Sequence, residues 1–278
     1  MKFVFFGTPY AARDTLEVLH THGFTPSLIV TNPDTPQGRG HVITPSLTKV
    51  WAEGHNIPVL TPSKIDEEVI TAIKEHGCEL AICVAYGKIL PLALIEAYPK
   101  GILNVHYSLL PEYRGASPVE SALLEGKTVT GVTIQKMVKE LDAGDIVTQE
   151  EVAILPDETT KELRPRLVHI GAELLAAALP EYLDGSLTPI PQDHSKATHV
   201  GKFGKEAGQI DLNAQAQENW NKYRAYAEWP GTYFFTEKNG KTVRVKITKA
   251  HYSERDGLVI ERVIPEGRKE MSFEAFQS

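Results

Sequence analysis

Lys2-Phe3-Val4-Phe5-Phe6-Gly7-Thr8-Pro9 opens the chain, an aromatic and β-branched run that breaks at a glycine and a proline. It reads as a buried strand, because a strand covered on both faces is written as continuous apolar sequence. Residues 9–20 then read as a helix and 27–31 as a second strand. The alternation repeats: 47–55 is helical, 58–60 a short strand, 66–76 helical and 80–85 a buried strand. Strands interleaved with helices are the sequence form of a parallel α/β sheet, so we expect a Rossmann-like, mostly parallel sheet with helices on both faces. Residues 103–106 continue it, a helix follows near 117–124, and the runs 130–137 and 146–154 suit an antiparallel addition. Residues 159–179 read as a long helix.

Beyond it, Gly185-Ser186-Leu187-Thr188-Pro189-Ile190-Pro191-Gln192-Asp193-His194-Ser195 is polar and rich in turn formers, which suits a linker. The expected division is 1–189, a linker at 190–206, and a second domain at 207–278. In the last part 217–225 is helical, and 233–235, 242–250, 258–263 and 270–273 read as short strands parted by turns such as Asn239-Gly240 and Asp256-Gly257. A small OB-like β-barrel is expected there.

The 278 residues are 42% hydrophobic and 23% charged, a globular balance that excludes a disordered chain. The longest apolar runs fall far short of the roughly 20 residues of a bilayer-spanning helix. The first residues lack a signal-peptide core followed by a cleavage site. Cys78 and Cys83 are too few for a disulfide framework and have no partners at metal-binding spacing, so a cytoplasmic location is expected. The net charge of −7 argues against general coating of nucleic acid, yet the average conceals an asymmetry. Residues 1–195 carry 15 basic and 25 acidic side chains, whereas 196–278 carry 14 basic and 11 acidic. The C-terminal third is net positive.

The first strand ends in one glycine, whereas a dinucleotide fingerprint needs three so that backbone can approach a pyrophosphate. Nicotinamide chemistry is therefore unsupported. The informative stretch is Asn104-Val105-His106-Tyr107-Ser108-Leu109-Leu110-Pro111, at the end of an expected strand. Residues two apart in a strand point to one face, so Asn104 and His106 project together where an α/β sheet binds its ligands. An amide offers N–H donors to a developing oxyanion, and an imidazole transfers protons near neutral pH. A histidine satisfied locally beside a turn-capping asparagine is the competing reading. An orienting acid favours the catalytic one, and Leu141-Asp142-Ala143-Gly144-Asp145 supplies two carboxylates in a glycine turn, at least one of them a plain turn residue. Asn, His and Asp together suit acyl transfer without a covalent intermediate. No H-E-x-x-H, G-x-S-x-G or phosphate-binding loop occurs, so no metal site is expected.

At these residues the chain resembles the folate-dependent formyltransferases, whose signature is Asn-x-His followed by Ser-Leu-Leu-Pro, with a later Leu-Asp-x-Gly-Asp turn. Six such fixed positions coincide by chance on the order of 10⁻⁷ times per starting residue. Gly38-Arg39-Gly40, Val84-Ala85-Tyr86-Gly87-Lys88-Ile89-Leu90-Pro91, Tyr113-Arg114-Gly115-Ala116-Ser117-Pro118, Lys205-Glu206-Ala207-Gly208-Gln209-Ile210-Asp211 and Trp229-Pro230 resemble the family's methionyl-tRNA branch. The resemblance implies formyl transfer from 10-formyltetrahydrofolate to the α-amino group of methionine esterified to initiator tRNA, by a monomer. It implies Asn104, His106 and Asp142 as catalytic residues. It places Ser108, Leu109, Leu110 and Pro111 along the folate, with Tyr86, Gly87 and Ile89 in the segment that reads the pterin ring.

In that family a loop after the second strand enters the tRNA acceptor arm, which here implies Arg39 and His41. The basic pair expected after Arg39 is replaced by His41-Val42, so fewer phosphate contacts are available. The chain also stops at Gln277-Ser278 soon after a stretch resembling the family's late barrel strand, so the usual C-terminal extension is expected to be reduced. Residues 238–249 hold five cations and no acid, and a strand over 242–248 puts Arg244 and Lys246 on one face, a basic stripe joined by Lys241. A charged face that merely prevents edge pairing is the alternative. Rival readings of the whole chain are a formyltransferase acting on a sugar-nucleotide amine or on glycinamide ribotide, and a catalytically silent tRNA- or folate-binding module.

Overall fold

A computed structural model of the chain describes residues 1–38, 40–238 and 240–278. The opening run forms β1 (Phe3–Gly7), every residue buried. It leads into α1 (Tyr10–Thr21), whose buried Ala11, Ala12, Thr15, Leu16 and Leu19 recur at helical spacing and turn one stripe inward. The strand–helix turn is tight. A Cβ on Gly7 would lie 2.5 Å from the Ala12 Cβ and 2.8 Å from the Val84 carbonyl oxygen, so a side chain here would force helix and sheet apart. One glycine serves packing, as its isolation in the sequence implied.

The chain continues through β2 (Leu28–Val30), α2 (Leu47–Gly54), β3 (Val59–Leu60), α3 (Glu67–Lys74), β4 (Leu80–Val84), α4 (Leu92–Ile95) and β5 (Ile102–His106). Helix α2 starts at Ser46, whose hydroxyl accepts the Lys49 N–H at 3.0 Å, and α3 at Asp66, which accepts from Val69 at 3.1 Å. After α5 (Pro118–Leu124) come β6 (Val129–Lys136), β7 (Ile146–Ala153) and the long α6 (Thr160–Asp184). The sheet order is β7-β6-β5-β4-β1-β2-β3. Pairs β1–β2, β1–β4, β4–β5 and β2–β3 are parallel, whereas β5–β6 is antiparallel. The order reverses at β1, so the carboxyl ends of β1, β4 and β5 flank a topological switch point, where open α/β sheets bind ligands.

The two faces of β5 have different company. Ile102 joins the buried cluster formed by Val4, Phe6, Ala81, Cys83, Tyr86 and the side chains of α3 and α4. On the opposite face Gly171 of α6 packs so closely that a Cβ would sit 2.9 Å from Val105 and from Val132. Asn104 and His106 share the Ile102 face by strand periodicity.

The C-terminal residues form α7 (Ala216–Ala225), β8 (Tyr233–Lys238), β9 (Lys241–Ser253), β10 (Gly257–Pro265), β11 (Met271–Ser272) and α8 (Phe273–Gln277). Their core is Ile210, Phe234, Val245, Ile247, Val263 and Phe276. The small OB-like barrel domain expected here is a small antiparallel sheet in the order β8-β9-β10-β11. Its last strand, β11, is two residues long and gives way at once to α8, capped by Ser272.

Two compact units divide the chain, one of Met1–Arg114, Gly131–Val152 and Pro165–Thr198, the other of Gly115–Thr130, Ala153–Arg164 and His199–Ser278. The sequence reading has a single boundary near 190–207. The start of that stretch is anchored: Ile190 exchanges backbone hydrogen bonds with Ile146, both at 2.8 Å, and Gln192 is 5% exposed. Backbone pairing, which composition does not record, holds these residues to the first unit.

Candidate active site

Asn104 lies half-buried on β5, and no side-chain hydrogen bond to it is found among the described residues. Its amide faces a cross-strand partner, Gln135 on β6, directly opposite in the register. Two residues on, His106 ends the strand and is 6% exposed. Its ring is held at both nitrogens. Nε2 is 2.9 Å from the Tyr113 carbonyl oxygen, which can only accept, so this nitrogen carries the hydrogen. Nδ1 faces Asp142 Oδ2 at 3.7 Å, an ion-pair distance longer than a hydrogen bond.

Asp142 belongs to the turn joining β6 and β7, and its φ of +49° is a left-handed conformation that a non-glycine residue adopts only where its surroundings enforce it. Several contacts do. Gln135 Nε2 donates to Asp142 Oδ1 at 2.8 Å, which leaves Oδ2 toward His106. The turn folds back tightly over β6: a Cβ on Gly144 would lie 1.7 Å from the Lys136 carbonyl oxygen, which is why glycine stands there. Gln192 Nε2 donates to the carbonyls of Asp142 at 2.9 Å and Gly144 at 2.7 Å.

Asn104, His106 and Asp142 are thus gathered by one strand, its antiparallel neighbour and one turn. The amide can donate to an oxyanion, Nδ1 is the ring edge free to exchange a proton, and the carboxylate steadies that edge. Gln135, Gln192, Tyr113 and Arg114 build this geometry, and none was singled out as a site residue from sequence. Gln135 had one available signal: it lies on an expected strand at a position that antiparallel pairing sets beside Asn104. Gln192 had none, because its role comes from contacts distant in sequence.

The expected folate residues differ among themselves. Ser108 is fully buried, and its hydroxyl donates to the Glu112 carbonyl oxygen at 2.6 Å, so it braces its own turn. Leu110 is buried, its N–H donating to Thr133 Oγ1 at 3.1 Å, whereas Leu109 and Pro111 are half-buried. The Tyr86 ring is packed edge-on against Phe6 at 5.7 Å in the core, and burial pushes its phenol up to about 12. Its carbonyl accepts from Asn32 Nδ2 at 3.1 Å. Gly87 is exposed and Ile89 is 93% exposed.

Of the expected tRNA residues, Arg39 lies outside the described residues. His41 is exposed beside a short hairpin formed by Thr35–Gln37 and Val42–Thr44, in which Val42 and Ile43 are 66% and 62% exposed. On β9, Lys241, Arg244 and Lys246 are exposed while Val245 and Ile247 are buried, the alternation expected of a half-buried strand. The Arg244 guanidinium lies 3.7 Å over the Tyr233 ring.

Residues 1–179 match the family described as formyl transferase, and residues 202–258 its C-terminal domain. A methionyl-tRNA formyltransferase of Sulfurihydrogenibium sp. (strain YO3AOP1) is 40% identical over 96% of this chain and 87% of its own. Among solved structures, a methionyl-tRNA formyltransferase from Clostridium thermocellum superposes with a TM-score of 0.64 at 16% identity, covering 95% of this chain and 98% of its own. An N-formyltransferase from Helicobacter canadensis, in complex with folinic acid and dTDP-3-aminofucose, gives 0.66 at 18% identity over 91% and 88%. With both family domains matched in order and a relative aligned over nearly its whole length, this chain belongs to the formyl transferase family.

Proposed function

We propose that this formyl transferase moves a formyl group from 10-formyltetrahydrofolate to the α-amino group of methionyl-tRNA, the initiator species. The reading is supported above all by the pairing of His106 Nδ1 with Asp142 Oδ2 at 3.7 Å beside the strand face that carries the Asn104 amide, to which no side-chain hydrogen bond is found among the described residues. An α-amino group titrates near 8, so a useful fraction is neutral and nucleophilic at cellular pH. No strong base is required. The amine attacks the formyl carbon, the C–N bond forms, and negative charge develops on the formyl oxygen, where Asn104 N–H donors stabilise it. Collapse breaks the bond to the folate nitrogen. The proton lost by the amine reaches that leaving nitrogen by way of His106 Nδ1 or water, while Nε2 stays tied to Tyr113.

In this proposal the folate lies along Leu109 to Pro111 and the backbone of Tyr86, Gly87 and Ile89, with Ser108 shaping the turn from behind. The acceptor tRNA is held by Arg39 and His41, by Lys241 at the start of β9, and by the basic face of that strand at Arg244 and Lys246. The acting unit is a monomer in the cytoplasm, with 207–278 as its tRNA-holding part. The test incubates the purified chain with 10-formyltetrahydrofolate and either methionyl-tRNA or an amino-sugar nucleotide. Formylation of the tRNA alone is expected. Formylation of the sugar alone, or of neither, contradicts the reading.

A further inference from the structure

We infer that Gln192 is a positioning residue for this transfer, fixing the backbone of the Asp142 turn and through it the carboxylate opposite His106; the inference rests on the formyl-transfer reading above. Gln192 belongs to neither signature motif, and it lies in the stretch whose composition reads as linker. Nevertheless it is buried, and all four of its hydrogen-bonding positions are filled. Nε2 donates to the Asp142 carbonyl at 2.9 Å and to the Gly144 carbonyl at 2.7 Å. Oε1 accepts from Arg114 Nε at 3.1 Å and Nη2 at 2.7 Å. Reversing the amide would set its oxygen against two carbonyls and its nitrogen against a guanidinium, so only one orientation is possible.

Arg114, itself 5% exposed, also reaches His194 Nδ1 at 2.9 Å, so the fork that grips Gln192 is fixed in turn. The clamp grips a turn in which Asp142 occupies left-handed backbone space at φ +49°. Gln135 holds one carboxylate oxygen, but the backbone from which that carboxylate projects is held by Gln192. Gln192 touches no reacting group in this scheme and acts only through Asp142.

Gln192→Glu separates positioning from folding. It keeps the size and pairs the new carboxylate with Arg114, while replacing Nε2 and both its N–H donors by one oxygen that faces the Asp142 and Gly144 carbonyls. In the full chain we expect kcat for methionyl-tRNA formylation to fall about 10- to 100-fold, the scale of a small misplacement of catalytic groups. KM for folate and tRNA should stay within about threefold and Tm within a few degrees. In an Asp142→Asn background the same change should add almost nothing, since both act through one carboxylate. If Gln192→Glu unfolds the chain, Gln192→Met is read in the same cycle. A kcat within about twofold of wild type, or losses that multiply in the double variant, overturns the assignment. An inactive wild type overturns the formyl-transfer reading, and this assignment with it.

Discussion

At the scale of single residues the chemistry rests on side chains whose partners are already counted. Among the described residues no side-chain hydrogen bond to Asn104 is found, so in the proposed transfer truncating it should remove oxyanion stabilisation and little else. Asn104→Ala is expected to lower kcat about 10²–10³-fold with a modest change in folate KM, measured by steady-state formylation. Cys83 makes a contrasting prediction. It pairs in register with Asn104 across the β4–β5 ladder, yet burial pushes its thiol up to about 12, so it stays protonated and unreactive from pH 6 to 9. Iodoacetamide at pH 8 should therefore modify the partly exposed Cys78 well before Cys83, as read by mass spectrometry of the native protein. Asn104 and His106 were legible because strand periodicity alone puts them on one face. Which carboxylate joins them was left open by spacing and supplied by the family turn motif. Of the brace that aims it, Gln135 had only its place on an expected strand as a signal and Gln192 had none, because a hydrogen bond across 50 residues of sequence leaves no local pattern.

Among the elements, β9 carries the clearest division of labour, cations outward and Val245 and Ile247 inward. Because phosphate contacts release counterions, Arg244→Glu with Lys246→Glu should weaken tRNA binding and flatten the dependence of log K on log salt, leaving folate binding intact. Equal salt slopes in variant and wild type would remove this face from the tRNA site. The β9–β10 pair also predicts a pH effect. Glu261 bonds Lys249 at 2.6 Å and His251 at 2.8 Å, and these hydrogen bonds hold its carboxyl below the usual range. The contribution is then fully present above the unfolded carboxylate value near 4.3 and is lost as pH falls through the lower folded value. The Tm difference between wild type and Glu261→Gln, small because the site is exposed, should accordingly be present at pH 7 and vanish near pH 3. The alternating strands and the capped helices were legible element by element. The short strands of the C-terminal sheet were legible in the same way, whereas the helix α8 that follows β11 from Phe273, capped by Ser272, was not.

For the molecule as a whole, composition foretold an acidic first part and a basic last part, and it is the basic part that presents the exposed face of β9. The sequence reading expects two parts, and the grouping of the runs Gly115–Thr130 and Ala153–Arg164 with the second compact unit is a matter of tertiary packing that composition does not record. The three residues proposed as catalytic, Asn104, His106 and Asp142, all fall within one unit, so transfer chemistry should depend on their joint geometry and behave as a property of the set. The most direct measurement is kcat for formyl transfer to methionyl-tRNA in Asn104→Ala, His106→Ala and Asp142→Asn, singly and combined. The account predicts that each single change costs about 10²-fold or more and that the triple variant falls little below the worst single one, as for residues acting as one unit. Near-wild-type rates in any single variant, or three losses that simply multiply, would contradict it.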